Sequence, residues 1–324
     1  MRTHSQRHLR RYIESLARST PDAHVPIELD LLLDVGGLAC IRTQGVLLYV
    51  GELVRAGRTR VARVSAASAG AWLGLAFILR QELSLSKHQF MDTVAPYLER
   101  ECSVRSLERH VRSVVIDRVR AEHLCLLNGR LFISYKDVVS GQTVVISEYP
   151  TVAHLVEALE RSSHIPYWSN GDMLRDGRFC DGLAPVPFQD NSRPALLVSP
   201  LTLSRWLTML ISPKGLGLCP NILSGVADAH MFFTTGSGRS CSYLRPGVSF
   251  MRIYLCAREV ACLLFIAVCA RLEKLTRAIP SSIKKWALSQ WLRGLLCGSD
   301  NRAIVQVSAA SHGKLGSDNK GRLG

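Results

Sequence analysis

The chain has 324 residues, 47% of them hydrophobic, and 40 Lys and Arg against 26 Asp and Glu give a formal net charge of +14. This length and apolar fraction exclude a disordered chain and predict one large domain, or one domain with appendages. The positive charge favours an anionic partner, either nucleic acid or an acidic membrane face. Because no nucleic-acid-binding motif accompanies the charge, nucleic acid is not the predicted partner.

The ten cysteines and the amino-terminal segment bear on where the protein works. No two cysteines form a CxxC pair, so the spacing predicts neither a zinc site nor a disulfide framework. Residues 1–25 are a basic lead-in without a secretory signal, and residues 8–18 have the spacing of an amphipathic helix. We therefore expect an intracellular protein. A mitochondrial address is an alternative that Glu14 and Asp22 weaken.

From residue 29 the chain twice repeats the order strand, tight turn, helix. Leu29–Asp34 is predicted as a buried strand and Val46–Leu53 as a helix, followed by a strand at Arg60–Ser65 and a helix at Ala69–Leu79. This alternation is typical of a parallel sheet with helices on its faces, so it predicts the α/β class.

Later elements extend the predicted α/β domain, which spans residues 26–210. They comprise a basic amphipathic helix, a pair of strands around a Ser-Gly turn, a further helix and a further strand: 103–121, Leu131–Tyr135, Val144–Ser147, Val152–Arg161 and Ala195–Val198.

Residues 211–298 are predicted as an apolar and basic helical extension, followed by a disordered tail at residues 299–324. The apolar run Val260–Ala270 would span about 16 Å as a helix, against about 30 Å for a bilayer core, so it is predicted as buried or interfacial. Residues 283–295 mix Trp and Lys, which suits either a membrane–water boundary or a buried cap helix.

The segment Val64–Ala71 has the shape of a nucleophile elbow centred on Ser68. A serine is an effective nucleophile when it lies exposed on a sharp turn from strand to helix, and small neighbours satisfy the crowding there. Here Ala66 replaces the first glycine of the elbow pattern, and Gly70 keeps the second.

Two further segments are candidates for the rest of a hydrolytic site. The amides of Gly36 and Gly37, between a strand and a helix, can form an oxyanion hole, although a structural turn or a phosphate loop is an alternative. The Walker lysine and the Rossmann spacing are absent, which weakens the phosphate hypothesis. Asp181-Gly182 can supply a base, although Asp-Gly alone is usually a turn.

In combination and in order, the glycine loop, the elbow and Asp181-Gly182 resemble the patatin-like phospholipase family over about residues 28–200. The stretch Ser162–Pro166 is similar to the family's approach to its aspartate, and Leu196–Pro200 resembles the animal triglyceride-lipase branch. The resemblance implies a three-layer α/β/α fold with a mostly parallel sheet. It also implies a serine ester hydrolase that needs no metal and no cofactor.

The resemblance also assigns roles within this chain. Ser68 is the expected nucleophile and Asp181 its only catalytic partner, without histidine; His164 and His154 are expected at the surface or in loops. Oxyanion and substrate contacts are expected from one set of residues: Gly36, Gly37, Leu38, Ala69, Gly70 and Gly182. Apolar neighbours are expected to raise the pKa of Asp181. The implied substrate is a phospholipid or acylglycerol, met in the cytoplasm or peripherally at a membrane or lipid droplet.

The chain also departs from the family pattern in its glycine loop. Val35, Ala39 and Cys40 stand where the family has a glycine, a basic residue and a glycine. A side chain at a position of positive φ costs about 1–2 kcal/mol, so we expect either strain at Cys40 or a shift of the loop. Two other hypotheses remain open: a catalytically weakened patatin-fold protein that binds lipid or a partner, and an α/β-hydrolase whose Ser-Asp-His triad uses His230.

Overall fold

The computed structural model describes residues 2–37, 40–83, 104–190, 192–199, 218–244 and 250–275, with positions 280, 282, 283, 286 and 287 beyond them. The described helices are α1 (Arg2–Ser19), α2 (Cys40–Arg55), α3 (Ala69–Leu83), α4 (Val104–Arg118), α5 (Val152–Ser162), α6 (Leu218–Thr235) and α7 (Phe250–Leu275). The strands are β1 (Glu28–Leu33), β2 (Arg60–Ala67), β3 (Leu131–Asp137), β4 (Gln142–Ile146), β5 (Phe179–Cys180), β6 (Ala195–Val198) and β7 (Cys241–Leu244), and short 3-10 helices lie at Asp22–His24 and Ala121–Leu126.

These seven strands form one sheet in the order β4-β3-β2-β1-β6-β7, with β5 paired to β3. The four central strands β3, β2, β1 and β6 run parallel, whereas β4, β5 and β7 are antiparallel to their neighbours. An α/β fold with a mostly parallel central sheet is therefore confirmed. The segment set apart as an extension from residue 211 supplies β7 to this same sheet.

Alternation along β1 divides the interior between two faces of the sheet, because successive side chains of a strand point to opposite sides. Leu31 and Leu33 belong to the larger core, and Leu32 to a smaller one on the other face. Side chains from the first six helices join the larger core: Ile13, Val46, Leu75, Val111, Leu155 and Val226.

Helices α2 and α6 meet closely on this face because two glycines lie where their backbones cross. A Cβ atom on Gly45 would lie 2.2 Å from the Ile222 carbonyl oxygen, and one on Gly225 would lie 2.1 Å from the Arg42 carbonyl oxygen. No side chain fits in either space, so α6 is held against the first helix that follows β1.

On the other face of the sheet, α7 is the helix whose side chains pack against the strands, among the residues that the structure describes. Leu255 packs on Leu32, while Cys262 and Ile266 pack on Cys180 and its surroundings. Charged side chains on the same side of α7 bind the sheet as well, as described below for Arg258. The sheet thus has helices on both faces.

The observed α7 is longer than the apolar run Val260–Ala270 that predicted it. Charged residues such as Arg258 and Glu259 interrupt the apolar pattern before the run, yet the helix includes them, and they bind partners on the sheet and in the loops beside it. Glu259 pairs with the buried Lys136. Within the described ranges, no helix is both long and apolar enough to cross a membrane.

Candidate active site

Ser68 occupies the sharp turn between β2 and α3. Its φ is 56°, one of four positive values at non-glycine residues in the described part of the chain, and the residue is 4% exposed. A left-handed backbone is strained for serine, and such strain is typical of a nucleophile elbow. Two residues later, a Cβ atom on Gly70 would lie 2.6 Å from the Leu33 carbonyl oxygen. The turn therefore has the left-handed backbone predicted for an elbow, although Ser68 is buried rather than exposed. Gly70 is required by the close approach to β1.

The pairing of β3 explains how Asp181 reaches Ser68. β3 pairs with β2 as far as Ala67 and Ser134, and then with β5 from Lys136 onwards. Because β4 occupies the other edge of β3, β5 continues the sheet where β2 stops. The residue that follows β5 thus lies beside the residue that follows β2, close enough for the Ser68 side chain to lower the pKa of the Asp181 carboxyl.

Ser162, the last residue of α5, holds the backbone on both sides of this contact. Its buried hydroxyl accepts a hydrogen bond from the Ser68 amide at 2.9 Å and donates one to the Ser134 carbonyl at 2.7 Å. Its own carbonyl accepts from the Gly182 amide at 3.1 Å. A Cβ atom on Gly182 would lie 2.1 Å from the Ser134 carbonyl oxygen, so glycine is required after the aspartate.

The surroundings of Asp181 suit a proton acceptor. Burial raises the pKa of its carboxyl to about 7, and the nearby Asp34 charge adds to the increase. The Ser68 side chain, the hydrogen bond from the Leu183 amide and the Arg258 charge act in the opposite direction and lower this pKa. The Leu183 amide donates to Asp181 Oδ1 at 2.9 Å. A carboxyl with a pKa near 7 can take up and release a proton at neutral pH, as a general base must.

The glycine loop begins at the carboxyl end of β1, directly beside the elbow. Leu33 is in register with Ala66 on the neighbouring parallel strand, so the loop and the Ser68 turn leave the sheet at the same edge. Gly36 is part of this loop, and Gly37 has a φ of 45°. Leu38 lies outside the described residues. Ala69 opens α3, where backbone amides have no intrahelical acceptor.

Of the two outcomes expected at Cys40, strain is not observed. Cys40 is the first residue of α2, and neither it nor Val35 is among the non-glycine residues with positive φ. The helix simply begins earlier than the predicted Val46, so the position needs no left-handed backbone. The cysteine side chain thus costs none of the energy that a glycine-only conformation would impose.

Arg258 on α7 joins the two loops of the site, and sequence analysis did not identify it. Its guanidinium donates to the two carboxylate oxygens of Asp34 at 2.6 and 2.7 Å and to the Leu183 carbonyl at 2.7 Å. The Arg258 and Asp34 side chains are 2% and 0% exposed. The Ser199 hydroxyl also donates to Asp34 at 2.6 Å. No local pattern signals an ion pair whose members lie 224 positions apart.

The histidines occupy other places. His164 lies in a loop as expected but is buried rather than at the surface; its carbonyl accepts from the Asp181 amide, and burial lowers the pKa of its ring to about 4. His230 lies on α6, where its ring nitrogen is 3.0 Å from the Tyr49 hydroxyl. The triad hypothesis therefore gains no support, since the hydrogen-bond partner of His230 is Tyr49 on α2.

Within the described residues, no group of three His, Cys, Asp or Glu side chains could hold a metal ion. No protein-family model matches the chain, and no curated protein sequence matches it. The evidence for a function therefore lies in the geometry and chemistry of the site itself.

Proposed function

We propose that this protein is a serine hydrolase of carboxylic esters that acts on lipid acyl chains, with a patatin-like three-layer α/β/α fold. One observation carries the proposal: Ser68, on a strained turn, lies beside the buried Asp181, whose carboxyl has a pKa of about 7. A serine next to a base with a matched pKa is the minimum set for nucleophilic acyl transfer.

In the proposed reaction, the Asp181 carboxylate accepts the Ser68 proton as the serine oxygen attacks the ester carbonyl. Amides of Gly36, Gly37 and Ala69 would stabilise the oxyanion that forms. The alcohol leaves with the proton from Asp181, and an acyl-enzyme remains. Asp181 then takes a proton from water, the resulting hydroxide releases the fatty acid, and Ser68 regains its proton.

The apolar surfaces around the site support a lipid substrate. Tyr167, Met173 and Leu183 form a buried cluster with the inner side of α7, next to Asp181. The opposite side of α7 exposes a row of apolar side chains, here called the outer face of α7: Ile253, Val260, Leu264 and Val268, each more than half exposed. Exposed apolar surface on a chain of net charge +14 favours peripheral contact with an anionic lipid layer.

Hydrolysis of a short-chain p-nitrophenyl ester tests the proposed dyad. We expect Ser68→Ala and Asp181→Asn each to lower kcat by at least about 1,000-fold, because the members of such a unit act together. His230→Ala is the matched control and should retain the wild-type rate. Profiling of phospholipids and acylglycerols with wild type beside Ser68→Ala then identifies the substrate.

Two results would contradict the proposal. Equal rates for wild type and Ser68→Ala would exclude hydrolysis at this site. Loss of activity in His230→Ala, with Asp181→Asn unaffected, would favour a triad.

A catalytically weakened patatin-fold protein that binds lipid or a partner is the second candidate. The observation that favours it is the burial of Ser68, only 4% exposed, which restricts access of an ester to the hydroxyl. Binding to lipid vesicles without hydrolysis of any ester by wild type would support this candidate.

A further inference from the structure

We propose that Arg258 is a positioning residue of the ester-hydrolysing site, and that α7 is thereby a required part of that site. This inference rests on the proposed function. One guanidinium binds Asp34, where the glycine loop begins, and the Leu183 carbonyl, two residues after Asp181. Arg258 thus sets the distance between the amides expected to hold the oxyanion and the carboxylate expected to take the proton.

The geometry of this contact favours arginine specifically. A planar guanidinium can bind both oxygens of a carboxylate and still reach a third acceptor, whereas the ammonium of lysine acts as a point charge. Asp34 is itself held by the Val35 amide at 2.9 Å and the Ser199 hydroxyl at 2.6 Å. Both sides of the contact are therefore fixed, and a change at Arg258 alters the spacing between them.

Stability alone is a weak reason for this pair. Removing two charges from water costs about as much as their attraction returns, so buried ion pairs contribute little compared with well-packed apolar residues. A fully buried pair directly beside a candidate dyad is better explained by the geometry that it imposes. Displacement of a reacting group by about 1 Å can cost about 100-fold in rate.

A second ion pair on the same strand provides the matched control. Asp30 near the amino end of β1 is 2% exposed and binds Arg63 through two hydrogen bonds, at 3.1 and 2.6 Å. The same two residue types are thus joined in the same bidentate manner, away from Ser68 and Asp181. Arg63→Lys and Arg63→Gln therefore reproduce the chemical change of Arg258→Lys and Arg258→Gln without touching the site.

The test measures kcat, KM and the pH profile for a short-chain p-nitrophenyl ester with these variants of the full chain. We expect Arg258→Lys to lower kcat by about 10–100-fold, with KM within about twofold, because positioning acts in the transition state. Its acid limb should stay at the wild-type pH, since the positive charge is kept. Arg63→Lys should keep kcat within about twofold of wild type.

Loss of either charge gives a second readout that altered folding alone would not produce. The Arg258 cation lowers the pKa of Asp181 and the Asp34 anion raises it. Arg258→Gln should therefore move the acid limb to higher pH, and Asp34→Asn should move it to lower pH. Arg63→Gln should leave it in place. Circular dichroism melts establish which variants fold. If Arg258→Gln does not fold, the results for Arg258→Lys and Asp34→Asn test the positioning role.

The positioning role would be overturned by a kcat of Arg258→Lys within twofold of wild type, or by an equal loss in Arg63→Lys. Shifts of the acid limb in the same direction for Arg258→Gln and Asp34→Asn would also overturn it. Wild-type activity in Ser68→Ala is a different failure: it removes the proposed function itself, whatever the Arg258 variants do.

Discussion

The two ends of β1 carry the same pair of residue types in different surroundings. Near the amino end, Arg63 is 20% exposed and binds Asp190 at 2.8 Å as well as Asp30. At the carboxyl end, Asp34 and Arg258 are buried, and the Arg258 guanidinium also donates to the Leu183 carbonyl, in the loop after Asp181. Because parallel sheets form their sites at the carboxyl ends of strands, we expect the Asp34–Arg258 pair to order the proposed site and the Asp30–Arg63 pair to stabilise only the surface.

Removal of the carboxylate at each end should produce the largest difference. Asp34→Ala leaves Arg258 buried without its anion, so we expect the free energy of unfolding to fall by about 3–5 kcal/mol. Asp30→Ala leaves Arg63 partly exposed and still bound to Asp190, so the loss should be about 1–2 kcal/mol. Urea-induced unfolding measures both values; equal losses would show that the two ends are energetically equivalent.

A change of pH between 5 and 7 should change the protonation of Asp181, near the carboxyl end of β1, and leave the ion pairs near its amino end unchanged. Asp181 has a pKa of about 7, so ester hydrolysis should fall about tenfold per pH unit below 7, or about 100-fold at pH 5. The Arg63 hydrogen bond lowers the pKa of Asp190 to about 2, so that carboxylate stays ionised over the same range. The pH profile of kcat/KM is the measurement, and a flat profile between pH 5 and 7 would contradict the assigned base.

Thermal melts over this pH range separate protonation from unfolding. The pKa of Asp181 is higher in the folded chain than in the unfolded chain, so the folded state binds more protons between about pH 4 and 7. Its contribution to stability therefore increases as the pH falls through 7. A loss of rate at pH 5 without a lower melting temperature assigns the effect to Asp181.

The smallest expected effect concerns apolar surface at the two ends. Leu264→Asp places a charge on the outer face of α7, and we expect binding to phosphatidylserine-containing vesicles to weaken about tenfold, as for one buried leucine. Ile27→Asp is the control, because Ile27 is also an exposed apolar residue and directly precedes β1. Co-flotation with vesicles measures binding. Equal weakening by both variants, or by neither, would exclude the outer face as the lipid contact.

Much of the fold follows from local patterns. The strand predicted at Leu29–Asp34 is observed at Glu28–Leu33, and the helix predicted at 103–121 is observed at Val104–Arg118. Both depend on periodicities of a few residues, which a single sequence displays directly. The elbow at Ser68 was found for the same reason, because small residues around a serine have a local steric cause.

What could not be predicted depends on pairing across long stretches of chain. Nothing near Arg258 indicates that its partner is Asp34, and nothing near Ser162 indicates that its hydroxyl supports the Ser68 amide. The full length of α7 was also missed, because charged positions in a sequence are normally assigned to the exposed surface. Here Glu259 binds Lys136 on the sheet and Arg258 binds loops beside it, while Val260 and Leu264 face outwards.

The place of β1 in the sheet has a consequence for synthesis of the chain. β1 precedes the other described strands along the chain, yet its second neighbour, β6, begins only at Ala195, and the partner of Asp34 is 224 positions away. At about 5–20 residues per second, Asp34 waits about 11–45 s for Arg258. During that interval the nascent chain comes to contain both Ser68 and Asp181 but has neither α7 nor its guanidinium. If Arg258 positions the proposed site, assembly of that site is thus postponed until all seven described strands have been made.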